Sequence, residues 1–174
     1  MFFIVRYIAK LVKALSSEAE PWQIGLGFCL GMIMGLTPLF SLHNLFFLVL
    51  LLVIKANIGM AMLGFFVCSG LAYLIDPVFH SIGSSLLHNE SLRGMWTAMY
   101  ANKWIALTNF YNTVVLGSLI SSLVLCIPMY PLSVKFVNFY RAKIDPWLQK
   151  LWIIKALKGT KFYGWYMKIS RMVG

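Results

Sequence analysis

The sequence predicts an all-α membrane protein, a helical bundle with a re-entrant or short-helix hairpin, two further spans, and amphipathic interfacial helices at both ends. Three observations lead there. The 174 residues are 60% hydrophobic, 16% aromatic and only 11% charged, whereas soluble domains carry roughly 25% charged residues. Pro21 to Ile54 runs 34 residues without Asp, Glu, Lys or Arg, well beyond the about 20 helical residues that cross a bilayer core. The basic residues behind the net charge of +10 gather in segments flanking the apolar runs.

Residues 1–16 form the first predicted element. Ile4, Ile8, Leu11 and Leu15 share one helical face, and Arg6, Lys10 and Lys13 another. A transmembrane placement would insert three cations at about 2.5 to 3.5 kcal/mol each, so the segment reads as a helix in the interface, its cations on lipid headgroups. The same cations break any signal-peptide core, so the first residues are expected to stay in the mature protein.

Residues 17–130 form the membrane domain. Ser17-x-x-Glu20 reads as a capping box, with Pro21 in the first turn of the next helix. A single straight helix over 21–54 would overshoot the bilayer, so this segment folds back as a hairpin with Pro38 to Asn44 at its tip. Lys55-Ala-Asn57 interrupts, and 58–75 makes an uncharged span ended by Asp76-Pro77. Residues 76–109 read as a periplasmic interfacial loop with a short amphipathic helix. The next span, 110–130, is expected to stop at Pro128-Met-Tyr-Pro131.

The tail, 131–174, is the last element. Residues 132–174 carry nine Lys or Arg, nine aromatics and one Asp, which suits amphipathic helices at the membrane surface, with Lys150, Lys155 and Lys158 on headgroups. Lys and Arg favour the cytoplasmic side. Both basic ends then face the cytoplasm only if the number of crossings is even, which the folded-back hairpin satisfies.

Few residues offer chemistry. Gly27, Gly31 and Gly35, at four-residue spacing, leave one helix face nearly bare for close packing. Gly31→Leu should therefore disrupt the protein, and Leu30→Ala on a neighbouring face should be mild. Pro38, Ser41, His43 and Asn44 are the hairpin-tip candidates, either functional or occupied in satisfying the turn. Asp76, His80, His88 and Glu90 fit no zinc spacing and pair no nucleophile with a base, so a solvated loop is the reading, with no catalytic residue, metal or cofactor expected. Cys29, Cys68 and Cys126 lie singly in apolar segments and read as buried thiols. The charge points to anionic lipid rather than nucleic acid.

Pro21, Gly25, Gly27, Gly31, Gly35, Pro38, Lys55-x-Asn57, Gly64 and Asp76-Pro77, in that order, resemble a family of uncharacterised bacterial inner-membrane proteins known only as a domain of unknown function. The resemblance covers roughly residues 15–130. Ser41 and His43 stand where many members carry Gly and Gln. The basic aromatic tail looks like a proteobacterial subgroup encoded beside a large AsmA-like protein, similar to bridge-like lipid carriers. The resemblance implies a multi-pass inner-membrane protein that works with phospholipids and an AsmA-like partner. The function expected on this basis is non-enzymatic phospholipid transport, anchoring the bridge and assisting lipid entry or scrambling. A small solute or ion transporter with discontinuous helices is the alternative, and an intramembrane lipid-modifying enzyme the third. The oligomeric state is left open.

Overall fold

The computed structural model describes residues 19–144 and 146. The expected interfacial helix over 1–16, with Arg6, Lys10 and Lys13, lies outside the described residues, as do Lys150, Lys155 and Lys158 of the tail. All regular structure among the described residues is helical: α1 Pro21–Leu36, α2 Leu42–Val53, α3 Ile58–Leu87, α4 Arg93–Ala101, α5 Lys103–Ala106 and α6 Thr113–Phe139, with a 3-10 turn at Glu90–Leu92. The protein is an all-α, membrane-like bundle, with α3 and α6 long and apolar enough to cross a membrane.

The hairpin is α1 and α2. At 16 and 12 residues these helices extend only about 24 and 18 Å, short of a hydrocarbon core about 30 Å thick. The chain leaves along α1, turns over Thr37–Ser41 and returns along α2, so that the Asn57 amide donates to the Gln23 carbonyl at 3.0 Å beside its starting point. Glu20 caps α1 with Pro21 in the first turn, and the Glu20 amide donates to Gln23 Oε1 at 2.9 Å. The cap therefore stands three residues later than the Ser17 box suggests. Proline's missing N–H is harmless only at a helix start, and the start follows Pro21.

α1 is the centre of the bundle. It is apolar all round, the pattern of a helix surrounded by protein rather than one with a single buried face, and Ile24, Cys29, Leu30, Met32, Ile33 and Leu36 are buried. A β-carbon at Gly27 would overlap the Asn57 carbonyl oxygen, one at Gly31 that of Ala61, and one at Gly35 would stand 2.6 Å from that of Phe65. Contacts that advance four residues together on both helices mean that α1 and α3 run parallel, backbone against backbone. Leu30 belongs to the same core, with Phe47, Leu51 and Ala61. The expectation of a mild Leu30→Ala is therefore corrected, since truncating a buried leucine costs about 2 to 5 kcal/mol.

Two expected stops are not stops. α3 runs through Asp76-Pro77 to Leu87, and α6 runs through Pro128 and Pro131 to Phe139. An interior proline costs about 3 kcal/mol, and packing beyond each one supplies the compensation. Past Pro77, α3 meets α6 at a second glycine crossing, where a β-carbon at Gly83 would overlap the Thr113 carbonyl oxygen and one at Gly117 that of Phe79. The order of these pairs makes α6 antiparallel to α3. Past Pro128, Tyr130 and Val134 lie against Gly25. The first 12 residues of the expected 76–109 loop are thus helix, and a short amphipathic helix appears there as α4.

At the far end, Trp96 Nε1 donates to the Leu86 carbonyl at 2.9 Å, and its ring stacks on Phe110 at 5.9 Å. Asn109 takes a positive φ of 56°, which asparagine tolerates better than most residues. Asn112 Oδ1 then accepts from the Val114 and Val115 amides to open α6. The described residues beyond Val137 belong to a separate unit, in which Tyr140–Ile144 is a π-helical turn and Lys143 Nζ lies 5.6 Å over the Phe139 ring.

Candidate functional site

The hairpin tip is a loop of free backbone groups between two apolar helices, and its polar side chains are spent on that backbone. The Thr37 hydroxyl lies 2.8 Å from both the Ile33 carbonyl and Asn44 Oδ1, so its one proton is shared between them. Asn44 Nδ2 donates to the Pro38 carbonyl at 3.0 Å and lies 3.4 Å from that of Leu39. Ser41 Oγ also donates to the Pro38 carbonyl, at 2.7 Å, and stands 2.9 Å from His43 Nε2. With the serine proton committed to Pro38, Nε2 carries the imidazole hydrogen and donates to Ser41. His43 Nδ1 is then a bare acceptor, buried and without a partner among the described residues. Backbone left unsatisfied in an apolar bilayer core costs several kcal/mol. Ser41 and Asn44 therefore close the turn, as does Thr37, which sequence reasoning passed over although a lone hydroxyl between Leu36 and Pro38 was the available signal.

Two spaces flank the tip. A nearly pure apolar cleft of about 550 Å³ lies between α2 and α3, bounded by Phe40, Leu45, Leu48, Ile58, Met62 and Phe66. On the other side of the tip a groove of about 490 Å³ runs from Thr37, Pro38 and Leu39 along α3 to Asp76, with Val114 of α6 at its edge. Ser69, Ala72, Tyr73 and Asp76 line it, at the i, i+3, i+4 and i+7 positions of one helix face. Asp76 lies 18 residues beyond Ile58, about 27 Å along the helix, near the end of the apolar part of α3.

The remaining ionisable candidates are not brought together. His80 Nδ1 shares a 2.6 Å hydrogen bond with Thr113 Oγ1, and His88 Nδ1 donates to the Ser84 carbonyl at 2.8 Å. Glu90 sits in the 3-10 turn. Among the described residues no three His, Cys, Asp or Glu side chains gather as metal ligands. Cys29, Cys68 and Cys126 are free thiols, the first two buried. Gly27, Gly31 and Gly35 all face α3 of this chain. Gly83 and Gly117, which make the α3–α6 crossing, and Asn57, whose Oδ1 caps α3 by accepting from the Met60 amide at 2.9 Å, were not among the sequence candidates. Single glycines inside apolar helices were the only sign of the second crossing.

The outer surface of the hairpin is apolar. Phe40 is 97% exposed and Val53 73%, and Leu45, Phe46 and Leu52 join them on the outer side of α2. Such a continuous patch does not suit water and does suit lipid.

A relative from Treponema pallidum (strain Nichols), described as an uncharacterized protein, is 24% identical over 143 residues, covering 82% of this chain and 88% of its own. No solved structure matches the chain. The model of a family of uncharacterized proteins conserved in bacteria (DUF2062) matches residues 5–144, spanning the hairpin, both long helices and the segment between them. With its Pro-Gly-Gly-Gly-Pro hairpin accounted for by the α1–α3 contact, the chain belongs to the bacterial DUF2062 family.

Proposed function

We propose that this protein is a non-enzymatic inner-membrane component of phospholipid transport, which anchors an AsmA-like bridge protein and assists lipid entry or scrambling at its base. The observation that carries the reading is the short hairpin, which is too short to cross and ends in a polar tip bordered by an apolar cleft and a partly polar groove. A lipid moving between leaflets needs a path for its headgroup beside apolar surface for its chains, and the two spaces supply those two chemistries side by side. Short helices with polar ends also thin the adjacent bilayer, which lowers the barrier to headgroup transit.

In this reading α3 and α6 cross the membrane while α1 and α2 enter and return. Both termini are then cytoplasmic, in keeping with the cations at the two ends of the sequence. The segment from Leu87 to Asn112 faces the periplasm, where a bridge protein would begin. The link to an AsmA-like protein rests on the family resemblance.

Two measurements test the proposal. The full-length protein, purified from its own membrane, should bring an AsmA-like protein and phospholipid with it. In liposomes it should expose labelled inner-leaflet lipid to a membrane-impermeant quencher faster than protein-free vesicles do. Partner binding without scrambling would keep the anchor and remove the scramblase. Saturable uptake of a soluble solute, with no such partner recovered, would replace the reading with that of a transporter.

A further inference from the structure

We propose that the groove between the hairpin tip and α3 is selective for phospholipids with an ammonium headgroup, and that the Asp76 carboxylate receives the ammonium; this rests on the lipid-transport reading and names its substrate class. The argument starts from what lines the groove. Ser69, Tyr73 and Asp76 stand on one face of α3, at i, i+4 and i+7, over about 10 Å of helix. None of the three side chains has a polar partner among the described residues. A carboxylate without a partner, with two hydroxyls on the same face of an apolar membrane-like helix, marks a site for something else.

Charge then chooses the ligand. Asp76 is the only charged residue among those that line the groove, and no cation among the described residues pairs with it. An isolated carboxylate beside apolar walls is stabilised by a cation and repels an anionic headgroup. The backbone adds an acceptor. Pro77 has no N–H, so the Tyr73 carbonyl lacks the donor that an ideal helix would offer it four residues on. A primary ammonium carries three donors, enough for the carboxylate and that carbonyl together.

Depth favours a lipid over a soluble amine. Asp76 lies near the end of the apolar part of α3, and Ser69 about two turns deeper. A lipid entering from that end puts its ammonium on Asp76, its phosphate oxygens within reach of the Tyr73 and Ser69 hydroxyls, and its chains toward Phe65 and Phe66 at the inner wall. A free amine would use only the outer part of this row.

The test is competitive lipid retention by the purified full-length protein, read by native mass spectrometry, with phosphatidylethanolamine against phosphatidylglycerol. The wild type should retain phosphatidylethanolamine preferentially. Asp76→Asn, nearly isosteric, should lower that preference about tenfold, the scale of one charge-assisted hydrogen bond, and Asp76→Glu should restore it. N-acetylated phosphatidylethanolamine, which lacks the ammonium, checks the wild type directly and should lose the preference whether or not the variants fold. Equal retention of the two lipids, or an unchanged preference in a folded Asp76→Asn, would overturn the headgroup assignment and leave lipid transport standing. Displacement of phosphatidylethanolamine by millimolar free ethanolamine would assign the site to soluble amines instead. Retention of no phospholipid at all would overturn both this inference and the transport reading.

Discussion

Glycine plays two opposite parts in this protein, and the difference lies in what a β-carbon would meet. At Gly31 it would strike the Ala61 carbonyl, fixed backbone that cannot turn aside, while at Gly70 nothing stands within 4 Å. Gly31→Ala should therefore separate α1 from α3 and destabilise by about 1 to 3 kcal/mol, the usual cost of overpacking. Gly70→Ala should stabilise by about 0.5 to 1 kcal/mol, because it removes backbone freedom from the unfolded chain and clashes with nothing. Thermal melts of the two purified variants in the same detergent check the pair, and a common sign would show that the parallel glycine contact is not what holds α1 in the centre. The tip candidates are explained at the same scale. Ser41 and Asn44 close a turn whose carbonyls would otherwise be orphaned, whereas Asp76, outside the tip, has no polar partner among the described residues.

At the scale of elements, helix ends depend on what packs beyond them. Pro77 and Pro128 read locally as terminators, yet α3 and α6 continue because Gly83 and Gly117 bring them into backbone contact and because the end of α6 closes over Gly25. The consequence is an asymmetry between the stop signal and the crossing. Pro77→Ala should keep the fold and raise the melting temperature, since it restores a helical N–H and removes the ring clash with the preceding turn. Gly83→Leu should lower it and reduce the yield of folded protein, because the added side chain has only the Thr113 backbone to occupy. Side-by-side melts of these variants settle the matter. Loss of the fold in Pro77→Ala, with Gly83→Leu unaffected, would mean that the break at Pro77 organises the bundle and the crossing does not.

For the whole molecule, the decisive property is the number of crossings. The hairpin returns to its own starting end, as the Asn57 to Gln23 hydrogen bond records, so in the proposed membrane placement α3 and α6 alone set the topology. With an even count, a cysteine placed in the 160s should react with an impermeant maleimide only after the inner membrane of spheroplasts is opened. One at Ser84 or Asn89 should react at once. Labelling of the 160s in intact spheroplasts would require an odd count, and the lipid path proposed along the groove would lose its orientation.

The sequence by itself determined the membrane class, the folding back of residues 21–54, the glycine face and the return of the chain, since each follows from apolar length against bilayer thickness or from side-chain size at helical spacing. Those are properties of one segment measured against a fixed solvent. Only the tertiary structure decided that α1 lies at the centre, that Leu30 is core, that the helices outlast their prolines, and that Asp76 and the tip border one groove. Each of these depends on which surfaces meet across tens of residues. A proline or an aspartate carries the same local signal whether or not a neighbouring helix repays its cost, so the outcome is set by packing energy that no local pattern encodes.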